Sequence, residues 1–410
     1  MNTQNKSSEG VSRKSFWSRC GDAASKKLWP LDRDALCAAA RRRTGLADFG
    51  DPAIESRLAV LTKSIESEAD LHPLGRLLAS IHLGDLLKTR LSLEETWRKS
   101  PGFETELIQR PVFITGMPRS GSTFLHEILA QDADNRAPRV WEVMSPLPTG
   151  ARRRIQRTAA CLWWFRQIAP EADSVHPIRA TTPHECVAIH SYTLLSREFV
   201  TTFRASAYEA FIDTADFDPA YFWEKRFLQY LQWRQPARRW VLKAPDHMFK
   251  MEALLRVFPD AAVIQTHRNP LEVLESSSRL TDVVQRTFAR RQGQREIGIR
   301  EARVLADGLD RITRFREAHP ELEDRFVDVN YDDLASDPLK TVRRLYRELG
   351  LPLTPATVER VQALAGNRSR YRGQGARPGL ADLGIDSGMK TRFESYCARF
   401  SVRQVERGGA

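Results

Sequence analysis

Apolar positions divide the chain into two regimes. From Asp32 to Trp97 they recur at helical spacing. The run Asp34-Ala35-Leu36-Cys37-Ala38-Ala39-Ala40 opens one helix, a second is predicted over 53–68, and others over 74–87 and 93–97. Beyond Arg110, short apolar runs bounded by turn residues alternate with helical stretches. Strands are predicted at 112–115, 139–141, 240–243, 262–266 and 325–330, with helices between them. That alternation predicts an α/β fold, a parallel sheet with helices on both faces, preceded by a helical extension over 28–108. Residues 151–233 read as mostly helical and rich in aromatics, and the Gly- and Arg-rich stretch 368–388 reads as a long loop. The polar segments 1–27 and 401–410 read as tails, the first disordered, so the α/β domain spans 109–400. No internal repeat is evident.

Charge narrows the partners. The 410 residues carry 63 Lys and Arg against 52 Asp and Glu, a net charge of +11. Such a balance suits nucleic acid, an anionic membrane or an anionic small molecule. The arginines are scattered, with short runs at Arg41-Arg42-Arg43, Arg152-Arg153-Arg154 and Arg290-Arg291 that read as solvated helix faces. No nucleic-acid module signature accompanies them, so a nucleic-acid partner is not expected. The longest apolar run, 159–165, is cut off by Arg157 and Arg166, and no integral membrane segment is predicted. The N-terminus lacks an apolar signal core, and five widely spaced cysteines suggest neither a disulfide framework nor a metal cluster. A cytoplasmic location and a metal-free site are therefore expected.

Two segments carry chemistry. Gly116-Met117-Pro118-Arg119-Ser120-Gly121-Ser122-Thr123 follows the apolar run Val112-Phe113-Ile114 and precedes a helix. A strand, a small-residue loop and a helix N-terminus make an anion cradle, because first-turn N–H groups point outward and the helix dipole favours negative charge. Gly116 and Gly121 allow backbone angles that a Cβ opposes. Ser122 and Thr123 add hydroxyls and Arg119 a cation. The spacing nearly matches the nucleoside-triphosphate loop G-x-x-x-x-G-K-[ST], but Ser122 stands where that motif needs lysine. The second segment is the strand Ala261–Thr266, the turn His267-Arg268-Asn269-Pro270, and a helix carrying Ser276, two turns in. In such sheets ligands bind at the strands' carboxyl ends, where both segments lie.

Together these segments resemble the sulfotransferases that use 3′-phosphoadenosine 5′-phosphosulfate. Trp240-Val241-Leu242-Lys243-Ala244-Pro245-Asp246-His247 is similar to the L-K-S-P-x-H strand of a bacterial group of that family, and 326–339 to its late strand and following helix. The resemblance covers roughly Arg110 to Phe400. It implies a P-loop-like sheet and a donor 5′-phosphate held by Gly116, Pro118, Arg119, Ser120, Gly121, Ser122 and Thr123. It implies a 3′-phosphate held by Arg268 and Ser276, and Arg119 as the cation at the leaving oxygen. Adenosine 3′,5′-bisphosphate is the implied product, and the acceptor a small molecule with a hydroxyl or amine. For the general base the resemblance points to Glu142, which follows the second predicted strand at about the family's distance from the loop. His176, His184 and Glu185 are its competitors. Lys243 is placed to bridge donor and transition-state oxygens, and His247 either faces the same crevice or caps the next helix. The family's late closing segment lacks its usual residues here, which leaves Arg372 or Arg377 to reach the 3′-phosphate. A homodimer is compatible. A small-molecule P-loop kinase and a non-catalytic nucleotide- or nucleic-acid-binding protein remain as alternatives.

Overall fold

The computed structural model describes residues 21–175, 177–236, 238–366 and 378–403. His176, Arg372 and Arg377, three of the expected site residues, lie outside the described residues, as do both ends of the chain.

Five parallel strands form one sheet: β1 (Val112–Gly116), β2 (Asn135–Arg136), β3 (Arg239–Lys243), β4 (Ala262–His267) and β5 (Phe326–Asn330), in the order β2-β3-β1-β4-β5. Every residue of β1 is buried, as expected for a parallel strand covered on both faces. The register is fixed by Ile114 opposite Lys243, Gly116 opposite Thr266, and His267 opposite Asn330. The ends of β1, β3, β4 and β5 therefore share one edge. The strand order reverses around β1, and a crevice opens outside that edge.

The helices that position the site, in chain order, are α1 (Arg33–Thr44), α2 (Ile54–Glu68), α3 (Pro73–Arg98), α4 (Ser122–Leu129), α5 (Val140–Met144), α6 (Ala151–Ile168), α7 (Pro170–Val175), α8 (Asp218–Arg234) and α9 (Pro270–Arg286). The N-terminal helices are not a detached lobe. Leu36, Leu58, Leu61, Leu83 and Leu91 belong to the same buried cluster as Phe113, Trp240 and Leu242 of the sheet. Where two helices were expected over 74–97, α3 is one continuous helix of 26 residues. Arg90 interrupts the apolar period but lies on the core face. Its guanidinium donates to the carbonyls of Phe49 (2.6 Å) and Tyr192 (2.9 Å) and stacks 4.0 Å from the Trp223 ring centroid.

Four of the five expected strands form. The expected strand at 139–141 does not. The second strand is Asn135–Arg136, and Val140–Met144 is the short helix α5. Pro138, which has no N–H to donate, stops the strand. Glu142 then accepts from the Arg139 backbone N–H at 2.9 Å, a capping interaction that reaches back to the start of the helix.

Candidate active site

The anion loop is built by backbone geometry. Gly116 has φ +126°, and a Cβ there would lie 2.3 Å from the Thr266 carbonyl oxygen on the adjoining strand. Gly121, at φ +87°, is the N-cap of α4, and a Cβ would come within 3.0 Å of the Tyr331 ring. Between them Arg119 takes φ +65°, left-handed for a side chain that ordinarily avoids it at a cost of about 1–2 kcal/mol. Several bonds hold it there. Its carbonyl accepts from Arg268 Nη1 at 2.9 Å, its Nε donates to Ser276 Oγ at 3.1 Å, and its Nη1 donates to the Val175 carbonyl at 3.3 Å.

Those bonds bring the two expected phosphate segments together. Arg268 and Ser276, remote from Arg119 in the chain, both touch it. Arg268 is held in turn by the Glu272 carboxylate at 2.9 Å and lies 4.0 Å from the Tyr331 ring centroid. Tyr331 thus packs against both Gly121 and Arg268 at the crevice. It stood within the late segment of the sequence resemblance, but no role had been expected of it. Its signal was its position, the first residue after β5. Ser120, one of the expected loop residues, has its side chain turned into the protein. It is fully buried, with its Oγ 2.5 Å from the Met117 carbonyl and 2.6 Å from Thr266 Oγ1, so it pins the loop to β4. Ser122 and Thr123 open α4, Ser122 buried and Thr123 exposed. Pro118 completes the loop.

At the end of β3, Lys243 is 2 % exposed and its ammonium pairs with the Glu185 carboxylate. Glu185 precedes the short helix Cys186–His190 and is partly exposed. Beside it, burial and then the Lys243 charge act to depress His184, while the carboxylates of Glu185 and Glu198 act to raise it; burial prevails and His184 is held below the usual imidazole range. Glu198 pairs with His82 of α3 at 3.2 Å. Charged and polar groups thus run from the strand edge through Glu185 and His184 to α3. Asp246, shortly past the end of β3, is pushed up to about 6, chiefly by burial and further by Glu185, against the pull of Arg197.

His247 does not cap a helix. It sits in the 3-10 turn Pro245–Phe249, 1 % exposed, 2.9 Å from the Tyr221 hydroxyl. Burial pushes it down to about 3, so it is a neutral core imidazole.

Glu142 is on a neighbouring element: α5 is joined to the segment before Glu185 by the Val140 N–H on the Thr182 carbonyl and the His184 N–H on the Pro138 carbonyl. Glu142 is 4 % exposed, and both carboxylate oxygens are engaged: Oε1 accepts from Arg136 Nη2 at 2.8 Å and Oε2 from the Arg139 N–H. Arg136 is opposite Trp240 in the register, which is roughly 10 Å back along the strand from Lys243. The arginine also donates to the Leu231 carbonyl at 2.9 Å, at the end of α8. Arg136 and Glu142 thereby tie β2 and α5 to α8. Among the described residues no cluster of His, Cys, Asp and Glu has the geometry of a metal site.

A strand-edge cradle in which two distant segments meet at the carboxyl ends of a parallel sheet defines an α/β protein of the P-loop-like class. A family model described as "Sulfotransferase family" matches residues 111–355, and the chain belongs to that family. It is 27 % identical over 285 residues to the omega-hydroxy-beta-dihydromenaquinone-9 sulfotransferase Stf3 of Mycobacterium tuberculosis, covering 66 % of this chain and 70 % of the relative. Among solved structures it is similar to sulfotransferase STF1 of Mycobacterium tuberculosis (TM-score 0.78, 28 % identity, 88 % of this chain and 98 % of that one). Sulfotransferase STF9 of Mycobacterium avium is also similar (TM-score 0.80, 26 % identity, 91 % and 97 %). The chain is a sulfotransferase with the α/β fold of that family.

Proposed function

We propose that the sulfuryl donor is 3′-phosphoadenosine 5′-phosphosulfate and that the group passes in line to a hydroxyl or amine of a small acceptor. The observation that carries this reading is the meeting of Arg268 and Ser276 with Arg119 at one strand edge. A donor with phosphates at both the 5′ and 3′ positions gives a reason for two anion segments in one crevice. The 5′-phosphate lies on the first turn of α4, with the loop N–H groups and the hydroxyls of Ser122 and Thr123. The 3′-phosphate lies by Arg268 and Ser276, with Tyr331 beside them. Arg119 neutralises charge that grows on the leaving oxygen, and Lys243 meets the sulfuryl oxygens in transit. No step needs a metal.

The base we assign is Glu185, one of the residues the sequence left in competition with Glu142. It stands at the strand edge against Lys243, whereas both Glu142 oxygens are already engaged, by Arg136 and by the Arg139 N–H. Before the donor binds, Lys243 holds the Glu185 carboxylate. When a sulfuryl group engages Lys243, Glu185 is released to accept the acceptor's proton.

The relative's name supports an acceptor with a hydroxyl on a long apolar tail. The test pairs two measurements: calorimetric binding of adenosine 3′,5′-bisphosphate without divalent metal, and transfer from sulfur-labelled donor to ω-hydroxylated isoprenoids of increasing length. Binding of the bisphosphate no tighter than adenosine 5′-monophosphate refutes the donor assignment. Tight binding with transfer only to short polar hydroxyls refutes the acceptor class and leaves the donor in place.

A further inference from the structure

The helix α6 (Ala151–Ile168) has an outer face that the reaction does not use. Its inner face is anchored by Arg154, Thr158 and Leu162, all buried. Arg154 departs from the expected solvated run. It turns inward, 4.4 Å from the Trp141 ring centroid, and donates to the Ser145 carbonyl at 2.5 Å. At about 100° per residue, Arg152, Trp163, Arg153, Trp164, Arg157 and Ile168 follow one another around a single stripe about 160° wide. All six are exposed. Trp163, Trp164 and Ile168 are 49 %, 62 % and 42 % exposed, and the two indoles pack edge to face with centroids 4.9 Å apart. Large aromatics held out in water on a rigid helix that also carries three outward arginines make an unusual surface for a freely diffusing protein.

The stripe does not stand alone. Cys161, on the Trp164 side of α6, is exposed as well. At its C-terminal end α6 leads through Ala169 into α7, whose last carbonyl, that of Val175, accepts from Arg119. The outer helix and the catalytic loop are therefore separated by one short helix.

We propose that the outer face of α6 docks the enzyme on an anionic phospholipid bilayer. The arginines at its N-terminal half pair with lipid phosphates, and the indoles with Ile168 sit at the boundary between headgroups and acyl chains, the depth such side chains favour. No described helix is long and apolar enough to cross a membrane, so the contact is peripheral. Charge complementarity selects the occupant: three arginines and a net charge of +11 favour an anionic surface over a second copy of an equally basic chain. The inference goes beyond the donor and acceptor reading and does not depend on it.

The test is co-sedimentation of the full chain with vesicles of one part phosphatidylglycerol to two parts phosphatidylcholine, against phosphatidylcholine alone. Each is run at low salt, about 50 mM, and at high salt, about 500 mM, where surface charge is screened. Binding is expected to the anionic vesicles and to weaken at high salt. Arg152→Glu/Arg153→Glu/Arg157→Glu should lower the partition coefficient about a hundredfold or more, from the contribution of three basic residues near an anionic surface. Trp163→Ala/Trp164→Ala should lower it about tenfold, since each buried indole adds apolar area. Both variants should bind adenosine 3′,5′-bisphosphate as the wild type does, which checks their folding independently. Failure of the wild type to sediment with anionic vesicles overturns the proposal, as does equal sedimentation of the arginine variant. A dimer that the tryptophan variant dissociates while vesicle binding persists overturns it in favour of a second copy of the chain.

Discussion

Removal of Arg268 separates recognition of the 3′-phosphate from support of the loop. Its guanidinium donates to the Arg119 carbonyl at 2.9 Å and to Glu272, and lies over Tyr331. Hydrogen bonds to a charged partner contribute about 1.5–3 kcal/mol, so loss of the arginine from a bound 3′-phosphate should cost about 3 kcal/mol, or ~10²-fold in Kd. The lost bond to the Arg119 carbonyl adds about 1 kcal/mol, and that share acts on the loop whatever ligand is bound. The two contributions predict unequal losses. For Arg268→Ala, adenosine 3′,5′-bisphosphate should weaken about a hundredfold or more, and adenosine 5′-monophosphate, which lacks the 3′-phosphate, about fivefold. Turnover at saturating donor should change little, because the 3′-phosphate is held in the ground state and the transition state alike. Calorimetry with both nucleotides on both proteins supplies the four constants. Equal factors for the two nucleotides refute the reasoning, because Arg268 would then act only by bracing Arg119.

Arg119→Ala should lower turnover at saturating donor by about 10²–10³-fold, as loss of a donor to developing charge does elsewhere; unchanged turnover removes it from the leaving oxygen. Glu185→Gln should lower the single-turnover rate about 10²–10⁴-fold with donor affinity nearly intact. Glu142→Gln should instead keep its turnover and lose stability, about 3–5 kcal/mol if the buried Arg136 is left unpaired; urea melts and rates on both variants decide between the two carboxylates. Asp246 is raised to about 6 in the folded protein, so folding favours its protonated form. Its contribution is fully present below the ordinary carboxyl value near 4 and is lost as pH rises through 6, about 3 kcal/mol in all. Asp246→Asn should therefore match the wild type at pH 4 and exceed it by up to about that amount at pH 8. A difference that does not vary with pH would contradict this account.

The parts of the fold legible in the sequence were those where a local pattern and a buried environment agree. The strands at 112–116, 239–243, 262–267 and 326–330 are short apolar runs flanked by turn residues; the first three are interior strands of the sheet and the last is its edge. The phosphate loop was legible because glycine at Gly116 and Gly121 answers a steric demand that the structure makes explicit. Arg268 and Ser276 were singled out by the family's spacing, but their contact with Arg119 was not legible, since it joins segments remote from each other in the chain. The polar residues with structural roles were misread or passed over. Arg90 faces the core and interrupted a helix's apolar period. The Ser120 hydroxyl fastens the loop to β4, a structural bond not foreseen. Arg154 turned inward from a run that looked solvated. In each case a buried polar group finds a carbonyl or hydroxyl partner that lies far off in sequence or in a turn whose shape is not written in composition.

The proposed preference for Glu185 over Glu142 rests on how each carboxylate is already engaged. Counting forward from Arg119 finds a carboxylate but not whether its oxygens are already committed. The second strand is confined to Asn135–Arg136, because Pro138 ends the ladder and the chain turns into α5. The carboxylate that follows is used to start that helix and to neutralise Arg136. Glu185 arrives by another route, after the outer helices α6 and α7, and no fixed distance from the loop marks it. What marks it is Lys243, whose place at the end of β3 is fixed by its register opposite Ile114. A buried ammonium at that edge must be paired, since an isolated charge there would be costly, and Glu185 is the carboxylate that pairs with it. The strand-end lysine was legible in the sequence. Its requirement for a partner, combined with the register, locates the carboxylate proposed as the base.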